Sequence, residues 1–205
     1  MSTLPAFEMD LESLVGRPTE LRPFVCNGSP LECGVFIVGF NPATEMSGDF
    51  WDYWRPGYGF DKAAWFKSYQ DERLNRPLKP GETRRSRVSN TRRVIEWIIE
   101  AASPVRCLET NKYAAATAQA SDLTDDRRRT DALSFLMNAI RPKIVVAHGK
   151  DAEIAVRGHC VDGTTLVIAK AHFSRGWSEE KARSLGGEIR SEYERIASLA
   201  AGTFR

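Results

Sequence analysis

Val35-Phe-Ile-Val38 is a short run of apolar residues that ends at Gly39, and the chain continues as Phe40-Asn-Pro-Ala-Thr44. Short apolar runs that are bounded by glycine or proline are typical of buried strands. Three further runs have this form: Val105–Leu108, Ile144–Ala147 and Thr164–Ala169. The sequence therefore predicts four short buried strands.

Helical patterns lie between these runs and after the last of them. They cover Asp61–Arg73, Asn90–Ala102, Thr130–Ile140, Lys150–Val156 and a final helix capped by Ser178. Strands that alternate with helices form a parallel sheet covered on both faces. We therefore predict an α/β fold, a three-layer α/β/α arrangement around a four-stranded parallel sheet. The length predicts one domain, residues 1–205, with residues 1–30 as an N-terminal extension.

The composition is that of an ordinary globular protein. Hydrophobic residues make up 42% of the 205 residues and charged residues 27%, which excludes wholesale disorder. No apolar run approaches the ~18 residues of a membrane span. The first residues lack the basic start and apolar core of a secretion signal. We therefore expect a cytoplasmic protein with no membrane partner.

Metal, cofactor and nucleophile motifs are missing from the sequence. The four cysteines stand far apart, which predicts buried free thiols rather than a zinc site: Cys26, Cys33, Cys107 and Cys160. There is no H-E-x-x-H, and the chain has three histidines. Glycine-rich phosphate-binding motifs and a G-x-S-x-G elbow are also missing. We expect no metal and no cofactor.

Positive charge is concentrated in the middle of the chain. Residues 1–54 hold two basic and eight acidic residues, whereas residues 55–93 hold eleven basic and four acidic residues. A local basic block in a chain with a net charge of +2 favours an anion-binding face, and nucleic acid is the usual anion. A solvated surface is the alternative. Arg84 and Arg85 begin an acid-free run of arginines that is suited to phosphate contacts.

Polar side chains follow the predicted strands, at the edge where open α/β sheets bind ligands. Asn41 lies between Gly39, which lets a ligand approach the backbone, and Pro42, which fixes the loop. Its amide is able to orient a water molecule. A turn without a function explains the same pattern.

Two further strand ends carry polar side chains. Asn111 offers an amide that suits the edge of a base, or the cap of a helix. His172 offers a hydrogen bond to a developing oxyanion, and Ser174 offers a phosphate contact. A surface or structural role is the alternative for this histidine.

Aromatic residues are dense between positions 50 and 69. There are nine in twenty residues: Phe50, Trp51, Tyr53, Trp54, Tyr58, Phe60, Trp65, Phe66 and Tyr69. Some must belong to the core. Beside the basic block, the others favour a site that stacks bases.

Taken together, these motifs resemble the uracil-DNA glycosylase superfamily. The first motif is Val35-Phe-Ile-Val-Gly-Phe-Asn-Pro42, the second is Leu108-Glu-Thr-Asn111, and the third is Ala171-His-Phe-Ser-Arg175. The resemblance spans roughly residues 33–200. It is closest to the mismatch-specific and single-strand-selective branches, which carry asparagine in the first motif.

The resemblance implies excision of uracil or a related deaminated base that has been flipped out of DNA. It implies that Asn41 positions the attacking water. His172 would donate a hydrogen bond to the departing base, and Asn111 would recognise the edge of the base. Gly39 and Phe40 would contact the base. Tyr58 is the first candidate to stack on the base, ahead of Phe50 and Trp54. Ser174, Arg175, Arg84 and Arg85 would hold the DNA backbone, single- or double-stranded, and the protein would act as a monomer without a cofactor.

The chain departs from the family pattern at two positions. Ala43 replaces the glycine that is usual after Asn-Pro, and Phe173 replaces the proline of the third motif. Asparagine at position 41 implies weaker activation of water than aspartate would give. Two alternatives stay open: a nucleic-acid-binding member of this fold without catalysis, and a nucleoside or nucleotide hydrolase.

Overall fold

The computed structural model describes residues 3–78, 81, 83–160 and 163–202. The helices are α1 (Leu4–Val15), α2 (Lys62–Asn75), α3 (Asn90–Ala102), α4 (Asp131–Ile140), α5 (Lys150–His159) and α6 (Glu179–Gly202). The strands are β1 (Phe24–Val25), β2 (Val35–Gly39), β3 (Trp54–Arg55), β4 (Gly59–Phe60), β5 (Cys107–Asn111), β6 (Ile144–His148) and β7 (Leu166–Lys170). The strands β3 and β4 form a separate hairpin. No helix of the described residues has the length and apolarity to cross a membrane.

The central sheet is mixed and has five strands in the order β1-β5-β2-β6-β7. The four predicted strands are present and parallel to one another, whereas β1 pairs antiparallel with the outer edge of β5. The sheet therefore has one strand more than the four predicted, namely the edge strand β1. In the register of the sheet, Gly39 lies opposite Asn111. The ends of the parallel strands thus form one edge, which carries the candidate site.

The predicted N-terminal extension contributes to the core. It supplies β1, and its helix α1 packs against α4. Phe7 and Leu11 of α1 are buried, and the Phe7 ring contacts Phe24 and Phe135 at centroid distances of 6.2 and 5.2 Å. Residues 4–25 are therefore part of the folded unit.

Helices cover both faces of the sheet because the strands are apolar on both sides. Val35 and Ile37 point into the cluster formed with α3 and α6. Phe36 and Val38 point to the opposite face, into the cluster that includes residues of α4 and α5. This alternation is the period-two pattern of a strand buried on both faces. The layers agree with the predicted α/β/α arrangement.

Most helix bounds agree with the sequence patterns because capping residues mark them. Ser89 accepts a hydrogen bond from the Arg92 backbone N–H at the start of α3, and Ser178 accepts one from Lys181 at the start of α6. The strand β5 begins two residues later than predicted and extends to Asn111. Asn111 is therefore the last residue of the strand rather than a loop residue.

Close packing between α3 and α6 depends on Gly186. A Cβ at this position would lie 2.5 Å from the carbonyl oxygen of Ile98 and 2.6 Å from the Cβ of Ala101, whereas a Cβ at Gly187 would meet nothing within 4 Å. We expect Gly186→Ala to lower the free energy of unfolding by about 1–3 kcal/mol through overpacking. Gly187→Ala, the matched control, is expected to raise it by up to about 1 kcal/mol. Urea unfolding of both variants measures this, and equal stabilisation by both would contradict the packing argument.

Candidate active site

Three strand ends meet around Gly39. A Cβ on this residue would lie 2.6 Å from Oδ1 of Asn111, at the end of β5, and 2.8 Å from Nε2 of His148, at the end of β6. Only a glycine leaves room for both side chains. The sequence pattern predicts that this glycine lets a ligand approach the backbone, but in the structure the side chains of Asn111 and His148 occupy that space.

A cleft of about 360 Å³ opens at this edge of the sheet. Its lining comes from the loop after β2, from residues 117–120, from the start of α5 and from the loop after β7. Asn41 and His172, which are far apart in the sequence, both line it, together with Phe40 and His148. The structure thus brings the two predicted catalytic side chains to one cavity.

Hydrogen bonds orient the amide of Asn41. The Thr117 hydroxyl donates to the carbonyl oxygen of Gln119 at 2.7 Å, so its oxygen is left as an acceptor. Nδ2 of Asn41 donates to that oxygen at 2.7 Å, and to the carbonyl oxygen of Pro42 at 3.4 Å. Among the described residues no donor reaches Oδ1 of Asn41. The oxygen of this amide is therefore available to accept a hydrogen bond from a water molecule.

The third motif fixes the tautomer of His172. The backbone N–H of Ser174 donates to Nδ1 of His172 at 3.2 Å, and the Ser174 hydroxyl lies 2.9 Å from the same nitrogen. Because Nδ1 accepts a hydrogen bond, the neutral ring carries its proton on Nε2. His172 is an exposed residue, and partial desolvation of its ring lowers the pKa of His172 below its ordinary value, which favours this neutral form. The sequence predicted that Ser174 contacts a phosphate, and the structure places its hydroxyl beside His172.

His148, which follows the predicted strand Ile144–Ala147, is a further residue that lines the cleft. It is buried, its ring stacks on Phe173 at a centroid distance of 4.3 Å, and it meets the His172 ring edge-on at 5.1 Å. Burial, and then the charge of His172, lower the pKa of His148 to about 3. Its position at the end of a predicted strand was the one signal that the sequence offered.

Of the two other residues predicted to contact the base, Phe40 lines the cleft and Asn111 does not. Phe40 lines the cleft, and its ring packs edge-on against Tyr113 at a centroid distance of 5.2 Å. Asn111 adjoins Gly39 but is not among the residues that line the cleft. Phe40 is therefore at the cavity, whereas Asn111 lies outside its lining.

The structure places Tyr58 at the wrong edge of the sheet for a base-stacking residue. Its hydroxyl donates to Oδ1 of Asn27 at 3.1 Å, and the Asn27 carbonyl accepts from Arg106, which directly precedes β5. Arg106 and Asn111 are separated by about 16 Å at roughly 3.3 Å per residue. The hairpin of β3 and β4 carries Tyr58 to the amino ends of the strands, so the stacking prediction was wrong.

Most of the aromatic segment belongs to the core. Seven of the nine aromatic residues are buried: Phe50, Trp51, Tyr53, Trp54, Phe60, Trp65 and Tyr69. Trp54, one alternative stacking candidate, is among them. Phe50, the other, lines a second cavity of about 630 Å³ with Arg22 and Trp65. Core packing thus accounts for the density of aromatic residues.

The basic segment leads into α3. The first turn of this helix places Arg92 against Glu109, the middle residue of β5. Arg84 is exposed, whereas Arg85 is partly buried and donates to the carbonyl oxygen of Pro77 at 2.8 Å. Arg175 is exposed in the loop after β7. Arg92 itself is buried in an ion pair, so it does not belong to a phosphate-binding surface.

The four cysteines are free thiols, three of them buried and Cys160 partly buried. Within the described ranges no group of three or more His, Cys, Asp or Glu side chains is arranged to hold a metal ion. Comparison with known protein families and with curated proteins finds no match to this sequence. The site's own geometry therefore carries the functional argument.

Proposed function

We propose that this protein is a DNA glycosylase that hydrolyses the N-glycosidic bond of uracil or a related deaminated base. The observation that supports this most directly is the shared cleft of Asn41 and His172. Asn41 presents an amide oxygen that no donor of the described residues reaches, and His172 presents an N–H from a neutral ring. This pair suits a water nucleophile on one side and a departing base on the other.

In this proposal, binding flips the target nucleotide into the cleft. His172 donates from Nε2 to a carbonyl oxygen of the base, where negative charge develops as the bond to C1′ breaks. Asn41 accepts a hydrogen bond from the attacking water through Oδ1. The amino end of α5 opens onto the same cleft at Gly149 and Lys150, and its dipole favours the negative charge of the departing base.

The size of the cleft fits this use. At about 360 Å³ it lies at the lower end of the ~300–1,000 Å³ of small-molecule sites, which suits one base rather than a whole nucleotide. The ring of Phe40 provides an aromatic wall for stacking. Hydrolysis by water and hydrogen bonds needs no cofactor, so none is proposed.

The proposed substrate is DNA, single- or double-stranded, bound by the protein as a monomer. Arg175 is exposed in the loop that follows the carboxyl end of β7, and Arg84 is exposed in the segment that precedes α3. Phosphates are the anions that such arginines bind. A free nucleoside would need no surface of this kind, which favours DNA over a nucleoside as substrate.

Base release from defined DNA tests the proposal. We expect the purified protein to produce alkali-labile sites in oligonucleotides that contain uracil, hypoxanthine or xanthine, on at least one of these bases. Asn41→Ala is expected to slow release about 100-fold because the water loses its acceptor. The matched control Asn138→Ala changes an exposed asparagine of α4 and is expected to leave the rate unchanged.

Two results would contradict the proposal. Absence of base release from every oligonucleotide, with salt-sensitive DNA binding retained, would indicate a binding protein without catalysis. Equal release from free deoxynucleosides and from oligonucleotides would indicate a nucleoside hydrolase. Each result selects one of the two alternatives that the sequence left open.

A further inference from the structure

One buried side chain anchors the loop that carries His172. Of residues 171–176, Phe173 is buried and the others are exposed. The Phe173 ring stacks on His148 of β6 at a centroid distance of 4.3 Å and meets Trp177 edge-on at 4.8 Å. Aromatic pairs of this kind contribute about 0.5–1.5 kcal/mol beyond the burial of their area. The position of this loop therefore depends on the packing of the Phe173 ring.

The ring of His148 contacts His172 as well as Phe173. The two imidazoles meet edge-on at a centroid distance of 5.1 Å. Cδ2 of His172 also lies 3.6 Å from the position that a Cβ of Gly149 would occupy, at the start of α5. His148 itself is buried, and its ring lies against Gly39 of β2. His148 is therefore a fixed residue that contacts both His172 and the residue that anchors its loop.

We propose that Phe173 and His148 are positioning residues for His172, whose stacked rings hold the loop after β7 so that the His172 ring stays at the cleft. This inference rests on the proposed function, in which His172 donates to the departing base. The contacts from Ser174 to Nδ1 of His172 come from the same exposed loop, so they fix the tautomer but do not fasten the loop to the sheet. Misplacement of a catalytic group by about 1 Å costs up to about 100-fold in rate.

The pKa of His172 reports the surroundings of its ring. Partial desolvation lowers this pKa, so a ring that is released into solvent should regain the ordinary value of 6.5. His148 is neutral near pH 7, because burial, and then the charge of His172, lower its pKa to about 3. Substitution of Phe173 or His148 therefore removes packing but no charge. The charged groups on the surrounding elements stay in place: Lys150 and Asp151 of α5, Lys170 of β7 with its partner Glu188 of α6, and Arg175 of the loop.

Variants that remove or retain a ring test the stack. Phe173→Leu and His148→Leu each replace a ring by an apolar side chain and should slow single-turnover base release about 10- to 100-fold. His148→Phe keeps a ring on Phe173 without any nitrogen, so its rate should stay within about threefold of the wild-type rate. Affinity for an uncleavable oligonucleotide, measured by fluorescence anisotropy, should change less than about threefold in all three variants.

NMR titration of the histidine rings gives a readout that does not require activity. The chain has three histidines, and the signal of His172 is identified by its loss in His172→Gln. The pKa of His172 should rise toward 6.5 in Phe173→Leu and His148→Leu, and should stay lowered in His148→Phe. The matched control Phe7→Leu removes an equally buried ring from α1 and should change neither this pKa nor the rate. Thermal unfolding shows whether each variant is folded, and the two ring-less variants test one contact from opposite sides.

The outcomes distinguish this inference from the proposed function. Ring-less variants that keep both the wild-type rate and the lowered pKa of His172 would overturn the inference alone. So would a His148→Phe variant that is as slow as His148→Leu, because that pattern indicates a role for the imidazole nitrogens rather than for the stack. An inactive wild-type protein would overturn the proposed function, and the NMR titration would then decide by itself whether the stack positions the His172 ring.

Discussion

His172→Ala is expected to lower the rate of base release about 1,000-fold while DNA affinity stays nearly constant. Removing one preorganised donor to a developing oxyanion costs roughly 10²–10³ in rate. His172 lines the cleft, and its Nδ1 accepts a hydrogen bond from the Ser174 backbone, so the neutral ring carries its proton on Nε2. Single-turnover assays at saturating protein measure the chemical step, and anisotropy measures the affinity.

The pH dependence gives the same prediction a second, independent readout. The pKa of His172 is lowered, so the neutral donor predominates at pH 7 and persists as the pH falls below the ordinary histidine value of 6.5. The rate should therefore be flat above pH 6.5 and should decline only at lower pH. His172→Gln keeps an N–H donor that does not titrate, so it should recover part of the rate and lose this acid limb. A wild-type rate that rises as the pH falls would show that the charged ring is the active form.

The central fold was predictable because its signals are local. The four parallel strands have continuous apolar runs, and serine caps mark α3 and α6. The strand β1 was missed because it is two residues long and has no periodic pattern to detect. The helix α1 was missed although Leu4, Phe7, Leu11 and Leu14 recur at helical spacing after the capping Thr3. Their place in the core depends on contacts with α4 and β5, which the sequence does not display.

The candidate site was predictable to the extent that it follows from the strand ends. Asn41 and His172 both follow parallel strands, so they lie at one edge of the sheet regardless of the conformation of the loops. Tyr58 lies on a hairpin, and its distance along the chain from Asn41 does not determine which edge the hairpin reaches. The position of the His148 ring depends on its stacking on Phe173 and on its contact with Gly39, which lie far from it in the sequence, so only coordinates reveal it.

Arg92→Met is expected to lower the free energy of unfolding by about 3–5 kcal/mol, since it leaves a buried carboxylate without its main partner. Arg92 and Glu109 are both buried, and the guanidinium makes a two-point contact in which Nη2 donates to Oε1 at 2.5 Å. The guanidinium also lies over the Trp65 ring at 4.8 Å. Arg93→Met is the matched control on the next residue of α3. Its guanidinium donates to the exposed Ser86 hydroxyl, so we expect a change within about 0.5 kcal/mol.

The titration of Glu109 determines how this loss depends on pH. Burial alone would raise the pKa of the Glu109 carboxyl, but Arg92, with Arg22 and Lys62, lowers it below the ordinary value of 4.5. The wild-type pair thus contributes stability above pH 4.5 and loses it as the pH falls through the lowered pKa. Without Arg92, burial raises the pKa, and proton uptake then removes the cost of the unpaired charge. Urea unfolding should show a smaller deficit for Arg92→Met at pH 5 than at pH 7. A deficit that is constant or larger at pH 5 would mean that lost packing on Trp65, rather than the unpaired carboxylate, destabilises the variant.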